Sequence, residues 1–191
     1  MNFLTSTITD YLVNKGFIEK EDYDVYEYGL LCFFEILTSI ICSIIIAVIM
    51  NSVIECLLFF FFFIPLRSLW GGLHMEKYFN CLLFSCLTLI TIFLLVKYVD
   101  ANALLSFLLF TVSLIFLKAL GPVNHPNRTV NSDEDFTFTR RFNKLLILHL
   151  LIGILFLIAS QRKYLFVEAL VYVLVVLTSI LGKIKYHKES V

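Results

Sequence analysis

Long apolar stretches alternate with short polar ones along most of this chain. Six of these stretches carry few charges, and they lie at about 30–50, 53–66, 79–96, 103–120, 145–160 and 164–181. About 20 consecutive apolar residues are enough for a helix to cross a membrane. The pattern therefore predicts up to six membrane-spanning helices.

Two segments depart from this pattern. The stretch 53–66 is short for a span and contains Pro65, so its length also fits a re-entrant segment. In residues 2–15, four apolar side chains recur at helical spacing: Leu4, Ile8, Tyr11 and Leu12. Thr5, Ser6, Thr9 and Asp10 face away from them. This spacing predicts a short amphipathic helix that lies on the membrane surface or packs on a partner helix.

Composition supports the membrane class. The 191 residues are 60% hydrophobic and their mean hydropathy is +0.90, more apolar surface than a soluble domain of this length can bury. We expect an all-α polytopic integral membrane protein with one domain over 1–191, six transmembrane helices and an amphipathic, acidic segment at 1–29. The zero net charge argues against a nucleic-acid partner. The five cysteines have no CxxC spacing, so we expect no zinc site, no other metal and no cofactor.

Charge asymmetry decides between five and six spans. If all six stretches cross, three of the 15 basic residues lie on one side and the other twelve lie opposite: the three are Lys97, Arg162 and Lys163. If 53–66 does not cross, the best division is ten against five. Cytoplasmic loops carry the excess of Lys and Arg. The sequence therefore predicts six spans with both termini in the cytoplasm.

The candidate chemistry lies in residues 67–81, between the second and third stretches. This segment contains a Gly-Gly pair, His74 and Cys81. An adjacent imidazole can convert a thiol into the nucleophilic thiolate. Residues seven apart on an unbroken helix are roughly 10 Å apart, so a working pair needs a bend, and Gly71 and Gly72 give the chain freedom for one. An interfacial histidine beside a helix-start cysteine, without chemistry, is the alternative.

The segment resembles the active-site motif of the accessory gene regulator B (AgrB) family. Members are integral-membrane cysteine endopeptidases that process a quorum-sensing propeptide. Their pattern has an arginine, a glycine two residues before a histidine, and a cysteine seven residues after that histidine. Here these are Arg67, Gly72, His74 and Cys81. The resemblance extends over nearly the whole chain and includes the proline-containing segment 121–128, which is similar to the one that follows the fourth span in the family.

The resemblance implies an activity and partners. Cys81 would be the nucleophile and His74 its base, in a homodimer embedded in bacterial cell-membrane lipid. The substrate would be an AgrD-like propeptide, which loses its C-terminal tail and is cyclised to a thiolactone or lactone. Arg67 would support the site by charge or carbonyl contacts, and Gly72 by close backbone approach. A small membrane transporter or peptide exporter without proteolytic activity is the alternative function.

Other polar residues are weaker candidates. Glu35, Ser68 and Asn124 are each candidates for orienting His74. The region 121–144 is expected to be a charged loop, and its basic end is a candidate binding site for an acidic substrate tail: Arg140, Arg141 and Lys144. An ordinary solvated loop is the alternative.

Three further ionisable residues lie within the predicted spans, where such residues suggest function. Glu55 and Glu168 are expected to reach water near the ends of their helices. His149 is expected to make a packing contact.

Overall fold

The chain forms a bundle of helices, seen in a computed structural model that describes residues 2–73, 78–123 and 132–189. A single turn of 3-10 helix covers Lys20–Asp22, and the α-helices are α1 (Asn2–Asn14), α2 (Tyr23–Ile49), α3 (Val53–Trp70), α4 (Tyr78–Tyr98), α5 (Ala103–Leu120), α6 (Ser132–Ile158) and α7 (Arg162–Glu189). Six of them, α2 to α7, are long and apolar enough to cross a membrane. The prediction of an all-α polytopic membrane protein is confirmed.

The connections alternate between the two ends of the bundle. The turns 50–52, 99–102 and 159–161 form what we call the turn end. Asn51 and Ser160 take left-handed backbone angles there, with φ of 54° and 56°. The Asn102 side chain caps α5 by accepting a hydrogen bond from the backbone N–H of Leu104 at 2.9 Å. The segments 71–73 and 121–123 lie at the opposite end, which we call the motif end.

The last helix lies at the centre of the bundle. Helix α7 packs on α3, α4, α5 and α6, and 61% of its most apolar window is buried, against 11% for α2. Val167, Ala169, Tyr172 and Val175 on α7 have no exposed surface. Helix α7 therefore runs through the centre of the bundle and on to the motif end.

Helix α1 packs on α2 through its polar side. Thr5 and Thr9 are buried, whereas Leu4 and Tyr11 are more than half exposed. The apolar face of α1 thus points away from the bundle, which is the arrangement expected of a helix that lies on a membrane surface.

Several helices are longer than the apolar stretches that predicted them. Helix α2 begins at Tyr23 rather than near 30, α3 continues past Pro65 to Trp70, and α7 reaches Glu189. The largest difference is in α6, which begins at Ser132, so residues 132–144 are helical and the prediction of a loop there is wrong. Hydropathy marks only the apolar part of a helix, whereas a helix can continue into water as an amphipathic one.

The buried acids also differ from expectation. Glu55 is 4% exposed and forms an ion pair with Lys163 at the turn end. Glu168 is completely buried, so the expectation that it reaches water is wrong. The reason is the central position of α7, whose first third is covered by neighbouring helices.

Candidate active site

Two glycines end α3 and begin the motif end. Gly71 has φ of 75° and Gly72 has φ of 141°, both in the region that side chains disfavour. A Cβ on Gly71 would overlap the carbonyl oxygen of Val123, and a Cβ on Gly72 would overlap the guanidinium of Arg67. Glycine is therefore required at both positions by conformation and by space.

Arg67 holds the segment that these glycines begin. Its Nη1 donates to the carbonyl oxygen of Gly71 and its Nη2 to that of Leu73, each at 2.8 Å. The planar guanidinium suits such a fork of two hydrogen bonds. The backbone N–H of Leu73 donates to the carbonyl oxygen of Thr178 on α7 at 3.0 Å. Leu73, the residue directly before His74, is thus held through both of its backbone groups.

The segment 121–123 runs beside this one. Gly71 and Val123 form a parallel β-bridge, and the N–H of Val123 donates to the carbonyl oxygen of Trp70 at 2.9 Å. The Trp70 ring stacks on Phe142 of α6 with centroids 3.6 Å apart, and its Nε1 donates to the carbonyl oxygen of Leu117 at 3.2 Å. The end of α3 is therefore fixed against both α5 and α6.

Helix α7 packs against the motif end, and the sequence did not predict this contact. Lys183 donates to the carbonyl oxygen of Leu120. At Gly182, an added Cβ would lie 2.9 Å from the backbone N of Leu73 and 3.0 Å from the carbonyl C of Gly72.

Cys81 lies three residues after the first described residue of α4 and is half-buried. The start of α4 is tied to α2, because the Tyr78 hydroxyl donates to the backbone carbonyl of Glu35 at 3.1 Å. The Cys81 thiol and the Tyr186 hydroxyl both lie close enough to the Arg67 guanidinium to interact with its charge. Arg67 therefore links the glycine turn, Cys81 and the end of α7.

Comparison with known proteins identifies the family of the chain. The family model described as accessory gene regulator B matches residues 5–182. The chain belongs to the AgrB family. Comparisons with curated proteins and with solved structures found no match. Membership places the protein in the accessory gene regulator system of quorum sensing, and the matched region includes Arg67, Cys81 and Gly182.

The other sequence candidates of this AgrB protein are dispersed. His74 and Asn124 lie outside the described residues. Ser68 is exposed and its hydroxyl donates to the carbonyl oxygen of Pro65 at 3.0 Å. Glu35 is half-buried on α2. The three basic residues of α6 lie on its first half and are exposed: Arg140, Arg141 and Lys144.

The close approach of α7 can be tested by adding one methyl group. Gly182→Ala in this AgrB protein is expected to lower the free energy of unfolding by about 1–3 kcal/mol, because the added Cβ meets backbone atoms that move together. Thermal unfolding in detergent measures the effect. The matched control is Gly29→Ala, also in a helix, where a Cβ meets nothing within 4 Å. Equal unfolding temperatures for the two variants would contradict the proposed packing.

Proposed function

We propose that this AgrB protein is a membrane-embedded cysteine endopeptidase, which removes the C-terminal tail of an AgrD-like propeptide and cyclises the remainder. The observation that carries the proposal is the position of Arg67. Its guanidinium binds the carbonyl oxygens of Gly71 and Leu73 and lies within Coulombic range of Cys81. The same positively charged group thus interacts with the backbone before His74 and with the proposed nucleophile.

Cys81 is the proposed nucleophile. The Arg67 guanidinium lies nearby, and Cys81 is in the first described turn of α4. The thiol is half-buried, so a substrate can reach it while neighbouring helices exclude part of the solvent. Partial exclusion of water protects an acyl-enzyme from hydrolysis.

His74 is the proposed general base. Its backbone follows Leu73, whose N–H and carbonyl are both hydrogen-bonded. The residue directly before the proposed base is therefore anchored, and a base and a nucleophile act together only at a set distance. Asn124 is the favoured orienting residue, because Val123 before it pairs with the segment before His74. Glu35 remains a candidate on α2, where its backbone carbonyl accepts from Tyr78, and Ser68 is disfavoured by its exposure and its bond to Pro65.

The proposed reaction has two acyl transfers. The Cys81 thiolate attacks the carbonyl carbon of the bond before the tail, His74 gives a proton to the leaving amine, and the tail departs. The substrate remains attached to Cys81 as a thioester. A thiol or hydroxyl of the substrate then gives its proton to His74 and attacks that carbonyl, which closes the thiolactone or lactone and releases Cys81 as the thiolate. We further propose that the enzyme acts as a homodimer in the bacterial cell membrane.

Co-expression with a cognate propeptide tests the activity. The protein is produced in a host without its own system, together with a propeptide that has an amphipathic leader, a central cysteine and an acidic tail. Mass spectrometry should detect both the released tail and a product lighter than the propeptide by the mass of that tail, which is one water lighter than the linear hydrolysis product. A propeptide that stays full length, with the protein present in the membrane, would contradict the proposal.

The tail-binding proposal concerns the basic residues of α6. Replacing Arg140, Arg141 and Lys144 together by Gln should raise KM for the propeptide more than it lowers kcat, because each exposed contact contributes about 0.2–1 kcal/mol to binding. Arg162→Gln, an exposed charge at the turn end, is the control. If the triple variant has an unchanged KM at normal membrane levels, these residues do not bind the tail.

The orientation of the bundle gives a labelling prediction. In a variant whose single cysteine is Cys81, a membrane-impermeant maleimide should label inverted vesicles but not intact cells, because the positive-inside rule places the motif end in the cytoplasm. A single cysteine introduced at the exposed turn-end position Lys97 should show the opposite pattern. Labelling of Cys81 in intact cells would reverse the proposed topology.

A further inference from the structure

A cluster of buried polar side chains lies inside the bundle, towards the turn end. It is formed by Ser106 of α5, His149 of α6, and Glu168 and Tyr172 of α7. Each of the four is at most 1% exposed. Burying a polar side chain inside a membrane bundle costs free energy. A buried polar side chain whose atoms lack hydrogen-bond partners therefore suggests a function.

Helices α5 and α7 bring the cluster together. Lys183 contacts the carbonyl of Leu120, and the rings of Phe110 and Tyr172 lie 4.8 Å apart. These two contacts fix the register of the parallel pair and place Ser106 at the level of Glu168.

Helix α6 closes the third side of the cluster. A Cβ on Gly153 would lie 3.2 Å from Oε2 of Glu168 and 2.9 Å from Cε1 of Phe110. His149 lies one turn before Gly153, and its Nδ1 is 2.9 Å from the Tyr172 hydroxyl. The Glu168 carboxyl is therefore enclosed between α5 and α6, next to a histidine–tyrosine pair.

Several polar atoms of this cluster have no hydrogen-bond partner within the described part of the chain. They are Oε1 and Oε2 of Glu168, Nε2 of His149 and Oγ of Ser106. Glu55, the other deeply buried acid, is instead paired with Lys163. An uncompensated carboxylate in an apolar interior is strongly disfavoured, so such a group takes up a cation or a proton.

The groups that face Glu168 favour a proton over a metal cation. Helix α6 contributes the imidazole of His149, α7 contributes the phenol of Tyr172, and α5 contributes Ser106 and the ring of Phe110. On its far side, His149 packs edge-on against Phe62 of α3. Alkali and alkaline-earth cations prefer several oxygen ligands, whereas carboxyl and imidazole groups exchange protons readily.

We propose that Glu168, His149, Tyr172 and Ser106 form an intramembrane proton-binding site, in which the Glu168 carboxyl carries the proton. A hydronium ion supplies the proton, an O–H bond forms on the carboxylate, and one water is released. The single O–H of the carboxylic acid donates towards Nε2 of His149, and the Ser106 hydroxyl donates towards the carboxyl oxygen without a proton, in each case through a buried water. The Tyr172 hydroxyl holds the imidazole in place through Nδ1.

This site is separate from the proposed peptidase site. Eighteen residues of α7 separate Glu168 from Tyr186, which corresponds to roughly 27 Å along a helix. Glu168→Gln should therefore leave tail removal by the detergent-solubilised protein close to the wild-type rate. Failure of either proposal leaves the other standing.

Infrared spectroscopy of the full chain in lipid nanodiscs tests the proposal. The wild-type protein at neutral pH should show the C=O stretching band of a protonated carboxyl, and this band should shift in D₂O as the proton exchanges. The band should disappear in Glu168→Gln and change frequency in His149→Gln and Tyr172→Phe. Glu55→Gln, which removes a buried but ion-paired acid, should leave the band unchanged.

Uniform ¹³C-glutamate labelling of the wild-type protein provides an assignment that does not depend on a variant that folds. The isotope should lower the frequency of the same band. Ionisation of Glu168 throughout the neutral range would overturn the proposal, and so would a band that does not shift in D₂O. Loss of the band on adding an alkali cation at constant pH would overturn it as well, because the ligand would then be the cation.

Discussion

Cys81→Ala is expected to abolish tail removal, with no released tail detected by mass spectrometry. The variant lacks the nucleophile, so no acyl-enzyme forms. His74→Ala should reduce the rate by roughly 10²–10⁴-fold, the contribution of a positioned general base. Both variants should reach the membrane at wild-type levels. Cys81 is only half-buried, so replacing it removes little packing.

The other cysteines provide matched controls for this result. Cys32, Cys42 and Cys86 are also half-buried in the helices, and their single replacement by alanine should leave activity largely intact.

A propeptide whose ring-closing residue is alanine should accumulate as a linear peptide bound to Cys81 and released by hydroxylamine. If Cys81→Ala still cleaves the propeptide at the normal rate, the peptidase proposal is wrong and the exporter alternative replaces it.

Arg67→Gln is expected to have the second-largest effect. It removes two hydrogen bonds from a charged donor, each of which typically contributes about 1.5–3 kcal/mol. It also leaves the carbonyls of Gly71 and Leu73 without that partner and takes a positive charge from the neighbourhood of Cys81. We expect kcat/KM to fall by about 10- to 100-fold or more, since each 1.36 kcal/mol corresponds to a factor of ten.

Arg67→Lys separates the two roles of this residue. Lysine keeps the charge, but its single ammonium lacks the rigid fork that reaches both carbonyls. At neutral pH, alkylation of Cys81 should slow more in Arg67→Gln than in Arg67→Lys, because only the former removes the positive charge beside the sulfur. Arg162→Gln, an exposed arginine at the turn end, should change neither rate. Equal alkylation rates in wild type and Arg67→Gln would exclude the electrostatic role.

The candidate site was partly accessible from the sequence. The motif located Arg67, Gly72 and Cys81 because the chemistry restricts residue type and spacing along the chain. The same reasoning missed the support from Thr178, Gly182 and Lys183, since they lie about 100 residues later and contact backbone atoms of the motif end. Backbone contacts between distant segments impose few requirements on side chains, and the requirement for glycine at 182 becomes evident only once Leu73 lies against it.

The sequence by itself determined the class of protein and the number of spans. Runs of apolar residues require helices that cross a membrane, because a backbone in lipid must satisfy its own hydrogen bonds. The sequence also indicated where the chain has the freedom to bend, because Gly71 and Gly72 accept backbone angles that other residues disfavour.

Only the tertiary structure decided which helix lies at the centre. Helices α4 and α7 have the same mean hydropathy over their most apolar windows, yet 22% of one window and 61% of the other are buried. Lipid tails are as apolar as leucine side chains, so hydropathy does not distinguish a lipid-facing surface from a protein-facing one. The complete burial of Glu168 and the position of Gly182 beneath Leu73 follow from how α7 packs between its neighbours, which the apolar pattern of α7 alone does not specify.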